Sequence, residues 1–502
     1  MKTFLATLFL LFCFLSNTHC WRVFHRGRAV GGNLGSPGNE ETLYGVKDTP
    51  DQWFDQVLDH FNPTDTRTWK QRYFTNDQFY DYSVGGPVFL MIGGEGAASP
   101  KWMTSGAWID YAMKFGALCL QLEHRYYGKS HPTIDTSTKN LQYLTSQQAL
   151  ADLAGFIMAM NEKLKLPSNT KWIVFGGSYP GSLAAWMREK YPHLVHGAMS
   201  ASGPLLAEVD FQEYFQVVDD SLKTYSEECV DEIKKGTSQI DVFLSHMIGQ
   251  RNIDKKFKLC DPIEDSITNP KDISNFYETL AGNFASIVQY NKDFRMGGTQ
   301  KISNITIDTL CDIMTSKDKG SAVDRLAAVN SLLLEANNLK CLDYKYDKMV
   351  KEMSDTSWSS EVAEGGRQWT YQTCTEFGFF QSSSYRPQVF GNKFPVDFFI
   401  QMCMDVFGPK YNAAFLNSGV DRTNTFYGAL DIEVSNVVFV HGSIDPWHAL
   451  GITKTVSQDA PAIYIEGAAH CANMYPARDT DLPQLKAARA TIMQLIDKWI
   501  RL

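Results

Sequence analysis

The chain has 502 residues, 44% hydrophobic and 21% charged, with a formal net charge of −9. That length supports a large core and more than one domain. The acidic balance and the lack of any Lys/Arg run argue against nucleic acid as a partner.

The N-terminus reads as a signal peptide over residues 1–20. Lys2 supplies a positive start, FLATLFLLFCFL (4–15) an apolar core, and Thr18 and Cys20 the small residues of a cleavage site. The run is too short for a comfortable membrane span, and no later run reaches ~18 apolar residues. The mature protein is therefore expected in the secretory pathway, lysosomal or secreted. In that setting the eight cysteines from Cys119 to Cys471 default to disulfides. None forms C-x-x-C or a Cys/His zinc pattern. Six of the eight fall between 229 and 403, which marks that region as stapled. Asn304-Ile305-Thr306 is a glycosylation sequon, whereas Asn62 is disqualified by Pro63.

Residues 21–50, rich in Gly and polar residues, read as a loose or processed arm. From there to 206, strands and helices alternate. Strands are expected at 87–93, 117–124 and 171–177, and helices at 108–116, 144–165 and 182–192. This is the pattern of a parallel sheet covered by helices. Residues 207–425 favour helix almost throughout. Strands return at 436–442 and 462–467, and a helix over 485–500 closes the chain. The expected architecture is an α/β domain in two pieces, 51–206 and 426–502. Between them lies an inserted helical, disulfide-containing cap.

Active sites of open α/β sheets lie beyond the carboxyl ends of the strands. Ser178 follows the strand KWIVFG inside GGSYPG, close to the G-x-S-x-G turn that lifts a nucleophilic serine above a sheet. Asp445 follows NVVFVHG and His470 follows AIYIEG. The order Ser, Asp, His is that of α/β-hydrolases. A serine hydroxyl needs a base, and the imidazole needs a carboxylate to hold its tautomer. His441, His448, His193 and His196 compete as the base, but only His470 follows both the acid and a further strand. The N–H of Tyr179 and the loop GGEG, with Gly94, are the expected oxyanion donors. That loop also resembles a dinucleotide fingerprint, which its final Ser99 and the late Glu123 weaken. Pro180 stands where the second glycine belongs. It costs no helical bond in a first turn, though it biases Tyr179 away from helix, so an altered rather than a dead elbow is expected.

These motifs resemble a known family. GGSYPG, LEHRYYGKS (122–130), RQWTYQTCTEFGFF (367–380), DPWH (445–448) and GAAHC (467–471) together are similar to the S28 serine peptidases, from about residue 50 to the C-terminus. The chain departs from them at Pro180. The resemblance implies an α/β-hydrolase fold with a helical cap and a Ser178–Asp445–His470 triad. It implies removal of terminal residues from peptides after proline, with no metal or organic cofactor. Trp447 would line the proline pocket. Glu376 would meet a peptide terminus or pair with an arginine. Arg125 and Glu95 would serve the substrate or a structural ion pair. Cys229–Cys311, Cys260–Cys341 and Cys374–Cys403 would be bridged. Proline-containing peptides are the implied partners, and a homodimer is left open. Two rivals stay open: an esterase or lipase with a helical lid, and a catalytically silent peptide binder.

Overall fold

Apolar runs without polar alternation form the middle of one sheet. The computed structural model describes residues 24–38, 49–292, 304–386, 388–455 and 457–502. The expected signal peptide lies outside them, as do 21–23 and 39–48 of the expected arm. Among the described residues the large sheet has strands β1 (Gln52–Val57), β2 (Thr68–Asn76), β3 (Val88–Ile92), β4 (Leu118–Leu122), β5 (Trp172–Gly177), β6 (Gly197–Ala201), β7 (Val437–Gly442) and β8 (Ala462–Ile465). Their order across the sheet is β8-β7-β6-β5-β3-β4-β2-β1. β8 to β4 run parallel, while β2 and β1 form an antiparallel edge.

β3 to β7 are buried at every residue. Helices on both faces cause this, which is why these strands carry continuous apolar runs. α1 (Ala107–Phe115) and α4 (Pro483–Arg501) cover one face, packing Trp108, Ile492 and Trp499 near Phe89, Met91 and Phe175. α2 (Ser146–Lys163) and α3 (Tyr179–Lys190) cover the other, where Leu150, Phe156 and Leu183 share a core with Val88, Leu90 and Val174. Each such side chain contributes about 1.5–3 kcal/mol by leaving water.

Every strand expected from the sequence is present. β1, β2 and β6 were not expected. β6 reads GAMSA, with no β-branched or aromatic residue to mark it. Its small residues suit it to a crowded centre: a Cβ at Gly197 would overlap the Trp499 ring of α4. α3 begins at Tyr179, three residues before its expected start.

Between β6 and β7 the chain is mainly helical, from Glu213–Lys223 to Ala413–Tyr427. Its apolar residues join the core on the α2/α3 side. Three disulfides staple this segment: Cys229–Cys311, Cys260–Cys341 and Cys374–Cys403. They are the pairs that the resemblance implies. Cys119 and Cys471 are buried free thiols. Among the described residues no helix is long and apolar enough to cross a membrane.

The topology also marks where a ligand belongs. From β3 the chain passes to β4 on one side, then returns to β5 on the other. The strand order reverses between β3 and β5, and such a switch point opens a crevice beyond the strand ends. Gly93 and Gly94 leave β3 there, and Ser178 leaves β5.

Candidate active site

Ser178 has φ 67° and ψ −135°. Such a conformation is strained for a residue with a side chain and persists only where neighbours enforce it. The Ser178 N–H donates to Ala201 O at 2.9 Å, and its carbonyl accepts from Gly181 N at 2.8 Å and Ser182 N at 3.2 Å. Glycine is required where helix meets strand. A Cβ at Gly176 would overlap the Pro180 carbonyl, and one at Gly181 would lie 2.6 Å from Ala201 O. Gly181 thus permits the close approach that the motif's second glycine would give.

Pro180 turns its ring the other way. It packs on Gly94, where a Cβ would overlap Pro180 Cγ. As the second residue of α3 it forfeits no helical hydrogen bond. Tyr179 is helical despite the proline after it. Its N–H belongs to the first turn, which has no acceptor within the helix. Tyr179 and Gly94 therefore flank the same ring. The Tyr179 hydroxyl is 3.1 Å from His124 Nε2 and accepts from Gln372 Nε2 at 3.1 Å. Burial holds His124 neutral, lowering its pKa to about 4.

Asp445 and His470 stand on the loops after β7 and β8. Asp445 Oδ1 is 2.8 Å from His470 Nδ1, and it also accepts the Trp447 N–H at 3.0 Å. Neither side chain has exposed surface. Burial disfavours a charged imidazole, but Asp445 first and the neighbouring Cys471 second outweigh it through charge and hydrogen bonding, so the His470 pKa is raised. Burial would likewise push the Asp445 carboxyl up, and His470 outweighs that, so its pKa is lowered. His470 Nε2 has no hydrogen-bond partner among the described residues. The histidine loop meets the elbow through Ala201. Its carbonyl accepts from Ser178 N, and the Cys471 thiol lies 3.9 Å from the same oxygen. The Cys471 N–H donates to Ser202 Oγ at 2.9 Å. The structure thus brings Ser178, Asp445, His470, Tyr179 and Gly94 to one end of the sheet. His441, the rival at the end of β7, is packed against Gly451 and kept neutral by burial, its pKa lowered to about 4.

Trp447 is buried in an aromatic cluster, with ring centroids 5.6 Å from Phe211, 5.9 Å from Tyr214 and 5.4 Å from Phe379. Gln289, at the end of the helix Pro270–Gln289, ties this cluster to the rest. Its Oε1 accepts from Trp447 Nε1 at 2.9 Å and from the Tyr214 hydroxyl at 2.8 Å. Its backbone carbonyl accepts the His470 N–H at 3.0 Å. Sequence reasoning missed Gln289, whose only signal was an amide at the end of an amphipathic helix.

Glu376, expected to meet a peptide terminus or pair with an arginine, is buried, and the Arg422 charge helps to hold its carboxylate. It lies in a π-helical turn, Thr373–Phe377, and its carboxylate caps α2. Ser146 N donates to both oxygens at 3.1 Å and Ser146 Oγ to one at 2.8 Å. Burial still pushes its carboxyl pKa up. Arg125 is a structural ion-pair residue: its guanidinium makes two 2.6 Å bonds to Asp152 with no exposed surface. Glu95 is buried in the loop after β3, and Asn33 N donates to its Oε1 at 2.7 Å. Asn304 is exposed.

A mostly parallel sheet with a strained serine after β5, and a buried Asp–His pair after β7 and β8, defines an α/β-hydrolase with a helical cap. Comparison with known proteins narrows the class. The model of the serine carboxypeptidase S28 family matches residues 56–492, and the chain belongs to that family of serine-type peptidases. A Caenorhabditis elegans relative is 36% identical over 518 residues, covering 100% of this chain and 99% of its own. Thymus-specific serine protease of Mus musculus is 34% identical over 458 residues, covering 89% of this chain and 87% of its own. Lysosomal Pro-X carboxypeptidase of Homo sapiens is 27% identical over 509 residues, covering 99% and 97%.

Proposed function

We propose that this peptidase removes terminal residues from peptides by cleaving after proline, through an acyl-enzyme on Ser178. His470 Nε2 takes the hydroxyl proton as Ser178 attacks, then returns it to the leaving amine. Asp445 holds the Nδ1–H tautomer and stabilises the imidazolium. The N–H groups of Tyr179 and Gly94 receive the oxyanion. Water then hydrolyses the acyl-enzyme by the same steps in reverse order. The observation that carries this reading is the buried 2.8 Å Asp445–His470 pair, joined through Ala201 to a strained Ser178. The Pro-X activity in one relative's name supports the proline preference, and the flat face of Trp447 suits a proline ring.

Cleavage of residues 1–20, delivery to lysosome or exterior and a glycan on Asn304 belong to the same reading. Three disulfides support an oxidising compartment.

The test is a mass-spectrometric digest by the mature protein and its Ser178→Ala variant, near pH 5 and near pH 7. The peptide pool holds free N-terminal X-Pro peptides, N-capped peptides ending in Pro-X, and proline-free controls. Ser178-dependent loss of one C-terminal residue after proline identifies a carboxypeptidase. Release of N-terminal X-Pro identifies a dipeptidyl peptidase. No cleavage in any pool sinks the proposal.

A further inference from the structure

Residues 24–38, part of the segment expected to be a loose arm, are docked. Phe24–His25 and Arg28–Ala29 form a small hairpin whose turn residues Arg26 and Gly27 both have positive φ, 49° and 70°. This two-residue turn matches the twist of its strands. Its tip enters the cleft: Gly27 O accepts from Gln289 Nε2 at 3.1 Å, and a Cβ on Gly27 would lie 2.8 Å from the Trp447 ring. Further along, Gly31 and Gly32 press on Gly96, and a Cβ at Gly96 would overlap Gly31 O. Leu34 reaches the elbow, 3.1 Å from where a Gly177 Cβ would stand. Gly31, Gly32 and Leu34 line the remaining recess together with Gly94 and Pro180. The arm thus touches the elbow, the expected oxyanion loop, the aromatic cluster and the cap residue that holds the His470 loop. Ser178 is left only 2% exposed.

Arg28 is the anchor. Its guanidinium forks onto Glu364, with Nη1–Oε1 at 2.9 Å and Nη2–Oε2 at 2.8 Å, and donates to Glu95 O at 3.0 and 2.8 Å. Planar bidentate pairs of this kind are among the strongest polar contacts. The seat is built for a cation. Gly365 leaves room for the guanidinium, where a Cβ would overlap Arg28 Nη2. Glu95 Oε2 is buried with no hydrogen-bond partner among the described residues.

We propose that residues 24–38 are an intramolecular plug of the peptide cleft, and that Glu364 and Glu95 form a cation subsite which Arg28 fills until the arm leaves. The subsite then takes an ammonium or guanidinium group of an incoming peptide. The proposal rests on Ser178 being the nucleophile.

The test replaces residues 41–46 with the recognition sequence of a site-specific protease and compares the mature chain before and after cutting. Fluorophosphonate labelling of Ser178 is expected to speed up at least about tenfold once mass spectrometry shows the arm gone. A synthetic peptide of residues 24–38 should restore slow labelling and raise KM for peptide substrates without lowering kcat. Its Arg28→Ala form should need at least about tenfold more peptide, the loss expected for a bidentate charge pair. An arm-free protein that labels no faster, or equal potency of the two peptides, overturns the proposal. So does loss of the folded far-ultraviolet spectrum on arm release, because a plug leaves a folded enzyme behind. If no form labels, it is the serine-hydrolase reading that fails. Binding of the fluorescent arm peptide to the cut protein then decides the rest: Arg28-dependent binding supports a seated arm, and Arg28-independent or absent binding overturns it.

Discussion

At Asp445 and His470 two opposing electrostatic effects meet. Burial resists the imidazolium and the adjacent carboxylate favours it; the carboxylate wins. The imidazole must be neutral to accept the Ser178 proton, so a raised pKa holds the acidic limb of the activity profile at higher pH. Asp445→Asn removes the largest raising charge and leaves the burial. The acidic limb of kcat/KM is then expected to move to lower pH, while kcat falls about 10⁴-fold because the tautomer is no longer held. A pH–rate profile checks both, and a limb that stays in place would refute the account. Stability runs with the opposite sign. The folded pKa lies above the unfolded value of about 6.5, so the pair's contribution is full below that pH and is lost as pH rises through the folded value. The thermal midpoint of wild type over Asp445→Asn should therefore shrink on the alkaline side. Ser178 was legible in the sequence because it directly follows an apolar run that is visible as a strand, and Asp445 and His470 because they stand on the loops just after two further runs. Gln289 was not, because its importance lies in four partners distant in the chain.

Among the elements, the elbow depends on the fit between the loop after β3 and the first turn of α3. Gly94→Ala keeps its N–H but drives a methyl into the Pro180 ring. Overpacking of this kind costs about 1–3 kcal/mol, and peptide hydrolysis should fall with the displaced loop. Pro180→Gly in the same chain should recover most of both losses. A double-mutant cycle on thermal midpoint and kcat measures the coupling, and additive effects would show that the two residues do not touch in solution. In the cap, Cys374–Cys403 closes 29 positions of chain between the turn bearing Glu376 and the helix Val396–Phe407. Replacing both cysteines with serine should cost about 3–4 kcal/mol by loop-closure entropy, read as a lower unfolding midpoint under non-reducing conditions. Helices with a polar face announced themselves by period. β6 did not, since GAMSA earns its place by being small rather than by being apolar.

For the whole molecule, acid is the revealing variable. His124 and His441 are both buried, and burial lowers each pKa to about 4. The unfolded chain takes up those protons below about pH 6.5, whereas the folded one waits until about pH 4. Below pH 6.5 protons therefore favour the unfolded state, and stability should fall between 6.5 and 4. Thermal midpoints across that range should drop, and His124→Gln should flatten the slope; an equal slope in the variant would clear His124 of the effect. The sequence by itself determined the alternation of strand and helix, the helical insertion and the three polar residues at strand ends. Hydrophobic period, turn chemistry and chain order are local properties, and they survive without knowledge of contacts. Tertiary structure alone decided that Gly181 and Gly94 accommodate Pro180, that Glu376 caps α2, and that residues 24–38 pack on Gln289, Trp447 and the loop after β3 instead of standing in water. Each of these depends on which backbone passes within a few ångströms of another, and that is set by the packing of the sheet, its helices and the cap together.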